Sequence, residues 1–176
     1  MSKSTFRDFL KRKQINISVQ TYLIDALGAM AFGLFASLLI GTIFATLGDK
    51  THIEIFTTIS TYAKSATGAA LGVSIAYALK APTLVLFSAA TVGIAGNELG
   101  GPVGALVATI IATELGKLVS KETPVDILVT PGITITSGVL ASQFVGPGVS
   151  AFMTAFGNLV KTATVMQPLF MGILVS

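Results

Sequence analysis

The 176-residue chain is 52% apolar and only 11% charged, whereas about a quarter of a soluble domain is charged. That excludes an ordinary soluble globular domain, and long charge-poor runs without period-two alternation point away from a β-barrel and towards a polytopic α-helical membrane protein. The net charge of +3 does not indicate nucleic-acid binding, because five of the eleven basic residues fall in the first thirteen positions; the absence of cysteine removes disulfides, thiolate metal sites and cysteine nucleophiles.

Lys3, Arg7, Lys11, Arg12 and Lys13 open the chain, with Phe6, Phe9 and Leu10 among them at roughly helical spacing. Residues 1–18 therefore read as a basic amphipathic helix. It suits either the headgroup zone of an anionic membrane or a solvated cytoplasmic tail that follows the positive-inside rule. Residues 19–176 read as the transmembrane domain, with about five to six apolar segments. The apolar run after the basic helix is too long for a secretory signal core.

The first span is expected over Val19–Leu47, with Asp25 as its one charge, placed near an interface. A polar link, Gly48–His52, follows, and His52 reads as a solvated loop residue. The second span is expected over Ile53–Leu79. Gly68 and Gly72 stand four apart in it, the spacing that lets helices approach closely. Lys64 lies deep in this span by count. It reads equally as a cavity-lining charge or as a lysine that snorkels or pairs with Glu54 or Glu114.

Pro82 suits the first turn of the next helix. The segment Thr83–Gly96 would reach only about 21 Å at 1.5 Å per residue. It either tilts little or continues as irregular backbone through Asn97-Glu98-Leu99-Gly100-Gly101-Pro102. That loop reads as an ordinary polar turn or, through the Asn97 amide and the Glu98 carboxylate, as a polyol contact. The fourth span runs from Val103 to about Val119. If four spans alternate, the N-terminal cluster, Lys80 and the pair Lys117 and Lys121 share one side.

The stretch Asp126–Gly148 is apolar but interrupted by Thr130-Pro131-Gly132 and Gly146-Pro147-Gly148. Proline removes a backbone donor, and in lipid the freed groups need partners in protein or in a water-lined cavity. The expectation is a crossing segment, unwound at Thr130-Pro131-Gly132 and turning at Gly146-Pro147-Gly148; a re-entrant hairpin is the alternative. After Val149–Asn158 and Lys161 comes an apolar tail without a polar exit, which reads as a chain truncated inside a span.

The basic FRDFLKRK start, NELGGPVGALVAT and above all PVDILVTPGITITSGVLASQFVGPGVSAFM resemble sugar phosphotransferase-system transporter subunit IIC. The likeness is to the branch that includes the perfringolysin-type toxin regulators. Members of that branch are longer, and the chain would match their N-terminal half. The resemblance implies an all-α, polytopic transmembrane helix bundle with interrupted or re-entrant segments. It implies a homodimer in a bacterial plasma membrane; the cytoplasmic N-terminus is expected from the distribution of the basic residues.

The implied function is translocation of a sugar or other small polar solute. The implied partners are the lipid bilayer, the solute and separate IIA and IIB phosphotransfer proteins, with no nucleic acid. A membrane-embedded sensor that binds a ligand or lipid without transport is the alternative. The candidate solute-contacting residues are Asn97, Glu98, Asp126, Thr130, Thr134 and Lys64. No catalytic residue, cofactor or metal site is expected.

Overall fold

The structure, a computed structural model, describes residues 9, 11–13, 15 and 18–166, with side chains described up to residue 162. Most of the expected basic helix and the last ten residues lie outside this set. All regular structure among the described residues is helical. Three helices are long and apolar enough to cross a membrane: Gln20–Thr51, Thr83–Val119 and Asp126–Thr162.

The first, α1 (Gln20–Thr51), contains two stretches of π-helix, Gln20–Asp25 and Phe35–Leu39. It continues to Thr51 and ends at His52, which adopts the left-handed conformation (φ 55°) and donates its N–H to the Gly48 carbonyl. The expected polar link is thus mostly a last helical turn. Gly48 and Gly41 carry no side chain, so the returning chain can lie directly on them. An added Cβ would stand 2.6 Å from the Thr57 hydroxyl at Gly48 and 2.8 Å from the Lys64 stem at Gly41.

The expected single span over Ile53–Leu79 is two helices, α2 (Glu54–Ser65) and α3 (Thr67–Ala78), separated at Ala66 (ψ −4°). The break lets the two pieces present different faces. α2 packs against the end of α1, where Phe44 and Phe56 meet at 5.9 Å. α3 packs Leu71, Ile75 and Leu79 against Ala26 on one side. On its other side Gly68 and Gly72 meet the next helix.

α4 (Thr83–Val119) doubles back at Gly101 (φ 62°, ψ −162°). Pairing across the fold shows two antiparallel arms, 83–100 and 102–119. An added Cβ on Gly96 would sit 2.7 Å from the Ala105 Cα, and one on Gly116 would sit 2.9 Å from the Val85 side chain. The helical hairpin read from the sequence is therefore present, but its turn is tighter than expected. Asn97 to Gly100 remain helical, and Gly101 alone leaves the helix, just ahead of Pro102. Each arm is about 27 Å long at 1.5 Å per residue.

Gly101 occupies a region of backbone space that is essentially open to glycine only. Nothing lies within 4 Å of a Cβ placed there, so the backbone alone sets the effect of a substitution. Gly101→Ala is expected to destabilise the fold by about 1–3 kcal/mol, read as a shift in equilibrium unfolding in detergent. An unchanged unfolding curve would mean that the turn tolerates another conformation.

The last helix, α5 (Asp126–Met166), runs without interruption through Pro131 and Pro147. Neither the unwinding expected at Thr130-Pro131-Gly132 nor the turn expected at Gly146-Pro147-Gly148 occurs. Each proline removes one backbone bond, and its φ near −65° is already helical. Contacts along the hairpin hold the remaining turns in register. Thr134 rests against Gly116, Ala112 approaches Gly138 and Gly100 approaches Gly146, where an added Cβ would be 2.9 Å and 3.2 Å away in the last two cases. Towards its end α5 leaves Phe152, Phe156 and Leu159 exposed.

Candidate functional site

The base of the bundle gathers cations from four separate segments. α3 ends in a Schellman arrangement, with Lys80 N–H on the Tyr77 carbonyl (2.9 Å) and Ala81 N–H on the Ala76 carbonyl (3.0 Å). This leaves Lys80 at the left-handed position (φ 55°). After α4, Ser120 (φ −55°, ψ 130°) and Lys121 (φ 64°) form a tight turn closed by Glu122 N–H on the Val119 carbonyl (3.1 Å). The pattern is that of a type II turn, whose third position normally takes glycine.

Arg12, Lys13, Lys80, Lys117 and Lys121, with Ala81, Pro82, Ser120 and Glu122, line a cleft of ≈ 620 Å³ here. Lys13 ties the N-terminal segment to the α4–α5 link. Its Nζ donates to the Ser120 carbonyl (2.5 Å) and to Glu122 Oε1 (2.6 Å), while Arg12 stands 3.7 Å from the same carboxylate. The Phe9 ring lies 5.6 Å below both cations. The Lys13 hydrogen bond and charge hold the Glu122 carboxyl below its ordinary pKa, with a smaller pull from Arg12.

Lys117 forms the back of the cleft. It is 1% exposed and donates to Glu114 Oε1 at 3.1 Å, one turn earlier on the same arm. Tyr22 of α1 faces the same carboxylate. A buried lysine needs such an anion beside it, because desolvation of an unpaired charge costs several kcal/mol.

Of the residues singled out in the sequence, Asp126, Thr130 and Thr134 come together as a ladder on α5. Asp126 Oδ1 accepts from the Lys121 N–H (2.8 Å) and the Thr130 hydroxyl (2.5 Å); the buried Thr134 hydroxyl donates to the Thr130 carbonyl (2.8 Å). Asn97 and Glu98 sit at the opposite end, near the hairpin tip, half-buried and exposed respectively. A shallow groove of ≈ 270 Å³ lies there between Gly100–Val103 and Ser150, Met153 and Thr154 of α5. One arm length, about 27 Å, separates the two groups. Lys64 is exposed on α2, its stem over Gly41, away from both. Glu114, considered as its partner, pairs with Lys117 instead.

Sequence reasoning missed the depth of Lys117. The Glu114–Lys117 spacing of three was a usable signal, since such residues are neighbours on one helix face. It also missed Thr109 and Thr113, whose hydroxyls are buried without a hydrogen-bond partner among the described residues.

The family profile described as phosphotransferase system, EIIC, matches residues 24–176. The chain belongs to the phosphotransferase-system EIIC family. No curated protein and no solved structure matches it. EIIC proteins are the membrane-embedded permease subunits of sugar uptake, working with IIA and IIB components. The match begins within α1 and covers α2 to α5, so the α5 ladder and the cleft residues Lys80, Lys117 and Lys121 lie inside the EIIC region. Lys13 and Arg12, which close the cleft, precede it.

Proposed function

We propose that this EIIC chain contributes to the path of a sugar or similar small polar solute across a bacterial plasma membrane, as part of a homodimer. Asp126, Thr130 and Thr134 would contact it near one face of the membrane, and Asn97 and Glu98 near the other; Lys64 is the remaining candidate. The observation that carries this reading is the family match over residues 24–176. Carboxylate, amide and hydroxyl groups suit a polyol, which both donates and accepts hydrogen bonds. The gathering of Arg12, Lys13, Lys80, Lys117 and Lys121 at one end supports a cytoplasmic N-terminus, because cytoplasmic ends are enriched in Lys and Arg.

Equilibrium binding of a labelled sugar panel to the full-length protein in detergent tests the reading. Saturable binding of at least one sugar is expected. Loss of one hydrogen bond to a charged group, roughly 1.5 kcal/mol, should weaken it about tenfold in Glu98→Gln or Asp126→Asn. No saturable binding across the panel, or binding indifferent to both substitutions, would overturn it.

A further inference from the structure

We propose that the cleft at the base of the bundle binds a phosphate ester, presented either by the headgroup of an anionic phospholipid or by a soluble molecule. The assignment stands apart from the solute reading, which concerns the α5 ladder and the hairpin tip.

Charge is the first observation. Five cations and one carboxylate line the cleft. Glu122 is already shared by Lys13 and Arg12, and Lys117 is matched by Glu114. Among the described residues, neither Lys80 nor Lys121 forms an ion pair. The nearby Asp126 carboxylate accepts from the Lys121 backbone and from Thr130, not from a lysine ammonium. Arg12 and Lys13 share one carboxylate and the Asp126 charge acts on both Lys121 and Lys13, so the cleft as a whole keeps a positive excess, to which Lys80 and Lys121 contribute from two different links facing one space.

Backbone conformation is the second. Both lysines stand at positive φ, 55° and 64°, where a residue with a Cβ costs roughly 1–2 kcal/mol and glycine costs nothing. A glycine would relax either link, so each lysine contributes something other than a comfortable turn.

Helix C-termini also attract lysine, and this simpler account has to be weighed. The base holds the C-termini of α3 and of the second arm of α4, but also the N-termini of α4 and α5. Their partial charges of about half a unit each offset one another, so the dipoles leave the lysine excess uncompensated. An anion completes it. Lysine ammoniums serve phosphate as point charges, and basic pockets between membrane helices on the cytoplasmic side accept phospholipid headgroups. The volume of ≈ 620 Å³ is ample for a phosphate ester.

The test uses the full chain in nanodiscs of neutral phosphatidylcholine, with or without phosphatidylglycerol, and neutral discs titrated with glycerol phosphate. Thermal unfolding is the readout. Phosphatidylglycerol or glycerol phosphate should raise the midpoint of the wild-type chain, and added salt should diminish the rise. A rise with phosphatidylglycerol alone identifies a headgroup; a rise with glycerol phosphate in neutral discs identifies a soluble ester. The double variant Lys80→Gly/Lys121→Gly should bind about thirtyfold more weakly, at ~1 kcal/mol per lysine near the surface. It should unfold in neutral discs no earlier than wild type, because both links are relaxed. No rise with either ligand, or equal rises in wild type and the double variant, would overturn the proposal.

Discussion

Gly93→Ala is expected to destabilise the bundle by about 3 kcal/mol or more, at the upper end of overpacking effects. In an exposed helix interior the same change would normally stabilise by about 1 kcal/mol, so the prediction reverses the ordinary sign. The reason is the crossing of α3 with the first arm of α4. A Cβ on Gly93 would collide with the Gly68 carbonyl oxygen and stand 2.6 Å from Gly72 N and 2.7 Å from Gly72 Cα. These are backbone atoms, so no rotamer change can make room, and the helices must separate.

Separation of those helices gives up the packing that holds a membrane bundle. Between membrane helices there is no water to expel, so close van der Waals contact supplies much of the association. Gly132 is the control. Nothing lies within 4 Å of a Cβ placed there, and Gly132→Ala should leave unfolding unchanged or slightly raise its midpoint. Equilibrium unfolding in mixed detergent micelles measures both. Equal behaviour of the two variants would mean that the α3–α4 crossing is looser than the structure describes.

Lys117→Met should have an effect of similar size, about 3–5 kcal/mol, since it leaves the Glu114 carboxylate without its cation in a largely buried site. Truncating one partner of such a pair removes the attraction but keeps the desolvation. Removing both charges in Lys117→Met/Glu114→Gln should therefore recover most of the loss. The double-mutant cycle isolates the coupling from any general packing defect. Measurement in neutral lipid keeps anion binding out of the comparison. Additive losses in the double variant would mean that Lys117 is not coupled to Glu114.

Much of the frame was legible because it follows from composition and punctuation. Charge-poor apolar runs become helices wherever backbone groups lack water. Gly100-Gly101-Pro102 marks the hairpin turn, with glycine able to take the positive φ and proline unable to continue the ladder behind it. Lysine positions at alternate links correctly anticipated that Lys13, Lys80, Lys117 and Lys121 would gather at one end.

The candidate solute residues were harder to place. Asn97 and Glu98 are candidates for the same solute as Asp126, and the hairpin tip that carries them does lie against α5. It meets α5 around Gly146 and Ser150–Thr154, about one arm length from Asp126. Sequence distance does not tell where along a long helix a turn will land. For Lys64, depth by count says nothing about direction, and the side chain points outward over Gly41.

The sequence by itself determined the all-α membrane class, the hairpin and the end at which the cations collect, since these depend on local residue chemistry and its order. Only the tertiary structure decided that α5 stays helical through Pro131 and Pro147, that α2 and α3 part at Ala66, and that Lys117 is buried beside Glu114. Each of these is a contest between a local preference worth a few kcal/mol at most and contacts from a neighbouring helix. A lost proline hydrogen bond is tolerated where Thr134 lies on Gly116 and Gly146 on Gly100. A buried lysine is tolerated because a carboxylate one turn away is buried with it.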